Sequence, residues 1–268
     1  MEEIAYAKIN LALHVRGRRS DGCHDIETIF AFCEEGDRLG VTESDRLTLC
    51  VTGQFAAGLP GDEGNLALLA ARRLAERYGV ARGAALILDK RLPVAAGLGG
   101  GSADAAAALR LLARWWSLSA AEPDLLEIAA SLGADVPACL VGRTLRGSGK
   151  GDRLEPLSLD LAGMPVLLVN PGVPLSTAAV FAAWNGADAG ALGEDFAAGR
   201  NDLQPAAAAL VPEIAAILSA LSGASLARMS GSGATCFGLF PSERARDDIA
   251  ERIRAAYPHW WQLRTRLR

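Results

Sequence analysis

The clearest hydrophobic pattern in the chain is an alternation of apolar and polar side chains over residues 4–15. The odd positions from 5 to 15 are all apolar, whereas Lys8, Asn10 and His14 occupy even positions. Successive side chains of a β-strand point to opposite faces of the sheet. The alternation therefore predicts a half-buried strand with one polar face.

Further apolar periods predict a mixture of strands and helices along the rest of the chain. Strands are predicted at 26–32, 46–51, 84–90 and 164–172, as a hairpin across 144–157, as a pair around a glycine turn in 225–240, and near 260–267. Helices are predicted at 66–78 behind an Asn65 N-cap, at 103–116 and 122–132, as two segments broken around Pro212, and at 242–256. The segment 186–199 is predicted to be a surface loop or a short helix.

Helices and strands are interspersed without the regular alternation of a doubly wound parallel sheet. The predicted fold class is therefore α+β. A change of pattern near residue 160 predicts two domains, one over 1–158 that holds a glycine-rich loop and one over 159–268.

Composition and charge exclude several classes of function. The 268 residues are 50% hydrophobic and 22% charged, with a formal net charge of −4, which argues against a nucleic-acid coat or a basic membrane arm. Charges interrupt every long apolar run, and the acidic N-terminal segment does not resemble a signal peptide. Five scattered cysteines without a C-x-x-C pair predict neither a disulfide framework nor a zinc site. The sequence therefore predicts a cytoplasmic globular protein.

The basic residues are divided unevenly between the two types. Only Lys8, Lys90 and Lys150 among the 27 are lysines, and the other 24 are arginines. Compositional drift would explain this, but a compact ammonium is not interchangeable with a planar guanidinium. Lys150 lies in the glycine-rich stretch 147–151, which no apolar helix follows, so a hairpin turn with an exposed lysine is predicted there rather than a P-loop.

A glycine-rich loop between a predicted strand and a predicted helix is the strongest local signal of chemistry. Glycines let backbone N–H groups converge on one point, and a helix N-terminus adds partial positive charge, so the combination favours phosphate binding. A tight turn that needs close packing is the alternative, but four glycines in five positions before a serine favour phosphate. The loop residues are Pro93, Val94, Ala95, Ala96, Gly97, Leu98, Gly99, Gly100, Gly101, Ser102 and Ala103.

Lys8 and Asp135 each allow two interpretations. Lys8 could protect a sheet edge from aggregation or offset charge that develops on a phosphoryl group, and its spacing favours neither. Asp135 precedes Pro137, so it fits a helix cap slightly better than it fits a carboxylate that accepts a proton in phosphoryl transfer.

Four segments, in order along the whole chain, resemble the GHMP small-molecule kinases: AKINLALHVRGRRSDGCH, KRLPVAAGLGGGSADAAAAL, LGADVPACL and MSGSGATCF. The resemblance implies an N-terminal domain with the nucleotide loop, a smaller ferredoxin-like C-terminal domain, and ATP as phosphate donor with Mg²⁺. The first segment further implies a cytidyl-diphosphate acceptor. The implied reaction is phosphorylation of the 2-hydroxyl of its methylerythritol unit, in non-mevalonate isoprenoid synthesis.

The resemblance also implies roles for individual residues. Asp135 would be the base that takes the hydroxyl proton, and Lys8 would orient that hydroxyl and offset charge. Residues 93–103 match the ATP loop, with Asn65 and Lys90 on the adenosine side. The positions that match the cytidyl-binding residues are Asn10, His24, Thr177 and Phe181, and those that match the C-terminal glycine turn are Gly231, Ser232 and Gly233.

One residue departs from the family pattern. The family usually has tyrosine before the histidine that corresponds to His24, and here that position is Cys23. A thiol has no aromatic face, and stacking on a base contributes about 1–3 kcal/mol. We therefore expect weaker cytidyl binding but the same reaction.

Other functions remain open at this point. Homoserine or mevalonate could be the acceptor, although His24 argues against both. A non-catalytic nucleotide sensor could also share the fold. No cage of acidic metal ligands is predicted, so Mg²⁺ is expected to be held largely by phosphates and water, with Ser102 as a candidate contact. The expected partner is a small molecule, with no nucleic acid and no membrane, and the chain is expected to be a monomer or homodimer.

Overall fold

The structure of the chain, a computed structural model, describes residues 1–59 and 64–268. It divides into two units, each built from several segments. Unit 1 comprises Met1–Ala7, Glu35–Val94 and Gly99–Gly142, and unit 2 comprises Lys8–Glu34, Ala95–Leu98 and Arg143–Arg268. Among the described residues, no helix has both the length and the apolar character to cross a bilayer. The domain boundary after residue 158 stays a prediction.

The first two strands are long and run through both units. They are β1 (Glu2–Arg18) and β2 (His24–Thr42), which pair with each other. The described residues of unit 1 add two strands and four helices: β3 (Leu47–Thr52), α1 (Leu66–Tyr78), β4 (Ala84–Asp89), α2 (Gly100–Trp115), α3 (Glu122–Leu132) and α4 (Val136–Val141). The end of β2 pairs antiparallel with β4, and β4 pairs in parallel with β3.

Local sequence signals place the two helices that pack together in unit 1. The side chain of Asn65 accepts a hydrogen bond from the Ala67 N–H at 3.0 Å and caps α1, as predicted. Gly79, in the left-handed conformation, ends that helix. α2 is rich in alanine and leucine, and nine residues within Ala103–Leu112 are buried. The small alanine side chains among them let α1 pack closely against this helix.

Unit 2 contains a four-stranded antiparallel sheet with the order β10-β7-β9-β8. Its elements, after the hairpin of β5 (Leu145–Ser148) and β6 (Arg153–Pro156), are β7 (Pro165–Asn170), α5 (Thr177–Ala183), α6 (Gln204–Leu210), α7 (Glu213–Ala220), β8 (Leu226–Met229), β9 (Cys236–Leu239), α8 (Glu243–Ala256) and β10 (Trp261–Arg266). Strands and helices thus succeed one another as in a ferredoxin-like domain, which confirms the predicted α+β class.

The core of unit 2 lies between this sheet and its helices. Val169 of β7, Ile214 and Ile217 of α7, and Ile249 and Ile253 of α8 are buried in one apolar cluster. The predicted helix around 242–256 and the break at Pro212 are confirmed by α8 and by the boundary between α6 and α7. Burial of these β-branched side chains is the main force that holds the helices on the sheet.

The prediction that β1 is half-buried is wrong. Lys8, Asn10 and His14, on its polar face, are only 4%, 2% and 2% exposed. Alternation of polar and apolar side chains normally marks a solvated face, but here each polar group that leaves water finds a hydrogen-bonding partner. Thr28 and Gly190, the partners of Asn10 and His14, lie 18 and 176 positions away in the sequence, so the pattern alone could not show this.

Two further segments refine the sequence expectations. α5 was not predicted, because it has only seven residues; the side chain of Ser176 caps it by accepting the Ala179 N–H at 3.4 Å. The segment 186–199 forms a loop rather than a short helix. The hairpin turn at 147–151 is confirmed, with Lys150 exposed.

His14 joins this loop to β1 through both ring nitrogens. Nδ1 lies 3.0 Å from the Gly190 carbonyl oxygen, and Nε2 accepts the Arg200 N–H at 3.2 Å. Since a carbonyl can only accept, the ring must be neutral with its proton on Nδ1. Burial lowers the pKa of His14 below its usual 6.5, the bond to Gly190 opposes this, and the charge of Arg200 lowers the pKa further.

The lowered pKa of His14 predicts a loss of stability in acid. Below pH 6.5 the unfolded chain takes up this proton more readily than the folded one, so stability should fall as the pH drops through that range and be fully present above it. Thermal melts from pH 7.5 to 5 should show a smaller loss for His14→Gln than for the native chain. His259→Gln, at an exposed position, is the control and should follow the native profile; parallel profiles for all three would contradict the assignment.

Candidate active site

The glycine-rich loop follows β4 and leads directly into α2. Three of its residues have positive φ: Ala95 (52°), Gly97 (77°) and Gly99 (64°). This region suits glycine but is unusual for alanine, and such strain concentrates at functional sites. Ala96, Leu98 and Ala103 are buried, Pro93, Gly97, Gly99, Gly100 and Ser102 are half-buried, and Val94, Ala95 and Gly101 are exposed.

The middle of the loop is anchored within unit 2. The Ser230 hydroxyl donates to the Gly97 carbonyl at 2.8 Å, and the Lys8 N–H donates to the Leu98 carbonyl at 3.0 Å. A Cβ at Gly97 would lie 2.3 Å from the Ser230 carbonyl oxygen and 2.9 Å from that of Gly233. The glycine is therefore required by the close approach of the two backbones.

The end of the loop forms the N-terminus of α2 in unit 1. Gly99 is the N-cap, and no side chain caps the helix. The first N–H groups of a helix have no intrahelical acceptor, and they carry the positive end of the helix dipole. Gly100, Gly101 and Ser102 form this first turn, which has the chemistry to receive an anion such as phosphate.

A buried ion cluster lies beside the same turn in unit 1. The Lys90 ammonium donates to Asp104 Oδ2 at 2.7 Å and also to Asp37 Oδ2. Burial lowers the pKa of Lys90, but the two carboxylates outweigh this and raise it. Burial raises the pKa of Asp104 to about 7, against the effect of Lys90. Sequence reasoning missed both aspartates, although one acidic residue in an alanine-rich helix was a usable signal.

Lys8 is part of a hydrogen-bonded chain within unit 2. Its Nζ donates to Asn10 Oδ1 at 2.8 Å, Asn10 Nδ2 donates to Thr28 Oγ1 at 2.8 Å, and the Asn10 N–H donates to Ser230 Oγ at 3.2 Å. Nζ also lies 5.8 Å from the centre of the Phe30 ring. The burial of Lys8 contradicts its interpretation as an edge-protecting residue, since such a lysine must be exposed. Its ammonium is instead held in a fixed position.

Aromatic rings meet at His24, also in unit 2. The His24 and Phe181 rings are stacked, with centroids 4.5 Å apart and planes at 26°. Trp184, which sequence reasoning missed, meets the His24 ring edge-on at 5.7 Å. Burial and the charge of Arg18 lower the pKa of His24, so the ring is kept neutral and can both donate and accept a hydrogen bond.

The remaining predicted acceptor-side residues belong to the same unit. Thr177 is exposed, and its hydroxyl lies 2.8 Å from that of Ser232 in the predicted glycine turn. Cys23 is exposed next to His24. The stacked rings of His24 and Phe181 have the chemistry of a nucleobase site.

Asp135 occupies the N-cap position of α4 in unit 1, but its side chain makes no capping hydrogen bond. Only its backbone carbonyl enters the helix, by accepting the Cys139 N–H at 3.0 Å. The slightly favoured interpretation of Asp135 as a side-chain cap is therefore wrong. The carboxylate is half-buried and does not cap α4, and its role as a proton acceptor stays a prediction.

Comparison with known proteins identifies both halves of the chain. The family described as GHMP kinases N terminal domain matches residues 65–143, and that described as GHMP kinases C terminal matches residues 182–259. The chain is 54% identical to the 4-diphosphocytidyl-2-C-methyl-D-erythritol kinase of Rhizorhabdus wittichii, over 99% of this chain and 94% of that protein. It is 48% identical to the kinase of the same name from Parvibaculum lavamentivorans, over 97% and 95%.

Solved structures agree with this. A crystal structure of 4-(cytidine 5'-diphospho)-2C-methyl-D-erythritol kinase matches with a TM-score of 0.84 and 34% identity, over 99% of both chains. Homoserine kinase from Cytophaga hutchinsonii matches with a TM-score of 0.74 but 19% identity, over 97% of this chain and 95% of that one. The second likeness concerns the fold alone.

The close approach at Gly97 makes a quantitative prediction. Gly22 has a similar φ of 83° but nothing within 4 Å of an added Cβ, so Gly22→Ala should cost only the conformational penalty of about 1–2 kcal/mol. Gly97→Ala adds the collision with the Ser230 carbonyl and should cost ~1–3 kcal/mol more. Urea denaturation of both variants measures the difference. Equal losses would show that the two backbones do not touch.

Proposed function

The chain belongs to the GHMP kinase family, whose members use ATP as phosphate donor, and from this premise we propose that it phosphorylates 4-diphosphocytidyl-2-C-methyl-D-erythritol. The acceptor is the 2-hydroxyl of the methylerythritol unit, and the product serves non-mevalonate isoprenoid synthesis in the cytoplasm. The observation that carries the choice of acceptor is the stacked pair of His24 and Phe181. Family membership supplies phosphoryl transfer, and the aromatic pair supplies a place for a pyrimidine.

On the nucleotide side, residues 93–103 bind the phosphates. The uncapped N-terminus of α2 supports this, because its N–H groups and dipole favour an anion. By their match to the family pattern, Asn65 and Lys90 belong to the adenosine side of this loop. Ser102, in the first turn of α2, would be the protein contact for the Mg²⁺ that accompanies ATP, and the ion would supply neutralisation of phosphate charge.

On the acceptor side, Asn10, His24, Thr177 and Phe181 bind the cytidyl substrate. Phe181 offers a ring face to cytosine, and the neutral His24 hydrogen-bonds to the base edge. Trp184 holds the His24 ring from the side, and it supplies aromatic surface near the position where Cys23 provides none. The expected loss of cytidyl affinity from Cys23 is therefore partly offset.

The reaction needs a base and a fixed positive charge. The 2-hydroxyl oxygen forms a bond to the γ-phosphorus as the bond from that phosphorus to the bridging oxygen of ADP breaks, and the hydroxyl proton moves to the Asp135 carboxylate. Lys8 orients the hydroxyl and offsets the charge that develops. The hydrogen bond from Lys8 to Asn10 supports this role, because it holds the ammonium in one position before substrate binds.

An acceptor panel tests the proposal. The purified chain with ATP and Mg²⁺ should release ADP in the presence of 4-diphosphocytidyl-2-C-methyl-D-erythritol, and phosphorus NMR should show a new phosphate ester on the tertiary carbon. Homoserine and mevalonate are the comparison acceptors and should give only background release. Turnover with either of them and none with the cytidyl alcohol contradicts the assignment, and ATP binding without any turnover indicates a nucleotide sensor.

Asp135→Asn separates chemistry from binding. If Asp135 is the base, the variant should lose about 10²–10⁴-fold in kcat while it binds ATP within twofold of the native protein. Asp152→Asn, which removes a carboxylate from the exposed hairpin turn, is the charge-matched control and should keep full kcat. A loss of ATP affinity and melting temperature that matches the loss of kcat would instead assign Asp135 a structural role.

A further inference from the structure

The Asp37–Lys90–Asp104 cluster of unit 1 is more elaborate than the proposed function requires. The three residues are only 0%, 3% and 3% exposed, and the two carboxylates share one ammonium. A buried charge is tolerated only when it is paired and hydrogen-bonded, and an excess carboxylate makes the arrangement costly. Asp104 Oδ1 has no hydrogen-bonding partner within the described residues. Such a cluster points to a purpose beyond stability.

Asp37 fixes the chain as it enters the glycine loop. Its Oδ1 accepts the Arg91 N–H at 2.6 Å and the Leu92 N–H at 2.8 Å, immediately before Pro93. Its other oxygen accepts from Lys90. The carboxylate of this one residue therefore binds three consecutive residues, 90–92, to β2.

Asp104 fixes the chain as it leaves the loop. It lies in the second turn of α2, four residues after Gly100, and accepts from Lys90 at 2.7 Å. A Cβ at Gly100 would lie 3.4 Å from Lys90 Nζ and 3.7 Å from Asp37 Oδ2. The ammonium therefore lies directly against the first turn of the helix and ties it to the strand end that precedes the loop.

The identity of the central residue also follows from this geometry. An ammonium is a compact charge with three donors, whereas a guanidinium is planar and larger. In a chain with 24 arginines and three lysines, the position that is enclosed by two carboxylates and a helix turn is a lysine. Burial disfavours the charged form of Asp104 and raises its pKa, yet the carboxyl group is held at this position beside Lys90.

We propose that Asp37, Lys90 and Asp104 are positioning residues that hold the two ends of the glycine loop at the spacing in which its N–H groups bind the phosphates of ATP. Lys90 acts on the nucleotide through the loop, from beneath α2, because its ammonium is enclosed. This inference rests on the proposed function for the identity of the nucleotide. Its consequence is that the cluster controls ATP affinity and leaves acceptor affinity alone.

Variants of Asp104 test the role, with ATP itself as the probe. Calorimetric titration in the absence of acceptor should show Asp104→Ala binding ATP at least tenfold more weakly than the native chain. The KM for the cytidyl alcohol should stay within twofold. Asp104→Asn retains an oxygen that can accept from Lys90 and should restore ATP affinity to within about threefold. Equal effects of Ala and Asn would contradict positioning through this contact.

A matched control separates positioning from general weakening of the helix. Ala108→Gly lies one turn further along α2 and is also buried, so it should lower the melting temperature without changing ATP affinity. If it weakens ATP binding as much as Asp104→Ala does, the cluster is merely structural. Unchanged ATP affinity in Asp104→Ala overturns the proposal directly.

A second substitution keeps the test decisive if Asp104→Ala does not fold. Asp37→Asn can keep the oxygen that accepts from Arg91 and Leu92, but it turns an amide N–H₂ toward the Lys90 ammonium. It should also weaken ATP binding at least tenfold, and native affinity would overturn the inference. A native chain that binds ATP but phosphorylates no cytidyl alcohol contradicts only the proposed function, whereas normal turnover with unaltered ATP affinity in the variants contradicts only the positioning role.

Discussion

An ammonium group that leaves water needs acceptors, and this requirement determines the polar architecture of both units. Moving an unpaired charge into a protein interior costs several kcal/mol even after relaxation. Lys8 and Lys90 are both buried, and each is accompanied by the oxygens that make this possible. In unit 2, Lys8 donates to Asn10, which is held in turn by Thr28; in unit 1, Lys90 donates to Asp37 and Asp104.

The same requirement joins the polar groups to the glycine-rich loop. Asn10 bonds to Ser230, and Ser230 bonds to the Gly97 carbonyl, so the partner of Lys8 is fixed to the loop within unit 2. In unit 1, Lys90 lies against Gly100 at the start of α2. The loop therefore does not depend on glycine flexibility alone, because buried hydrogen bonds hold it in one conformation. Preorganised donors of this kind stabilise charge better than mobile ones.

Much of the fold was predictable because its signals are local. The Asn65 cap, the helix after the glycine loop, the hairpin around Lys150 and the helix boundary at Pro212 all follow from conformational preferences within a few residues. The failures share one cause. The polar face of β1 was expected to be solvated, and Asp135 was expected to cap α4, because local patterns show neither distant partners nor side-chain direction.

The candidate site divides in the same way. The glycine-rich loop was predicted from its own residues, whereas the roles of Lys8, His24 and Phe181 were implied by the resemblance to the family. The sequence by itself therefore determined the family, the fold class and the kind of chemistry. Only the tertiary structure decided that Lys90 is enclosed by Asp37 and Asp104, that Trp184 meets His24, and that Ser230 anchors Gly97. These contacts join residues that are distant in the sequence: Lys90 and Asp104 are 14 positions apart, Gly97 and Ser230 are 133 positions apart, and His24 and Trp184 are 160 positions apart. Such contacts depend on which surfaces meet when the chain folds, and no local preference encodes that.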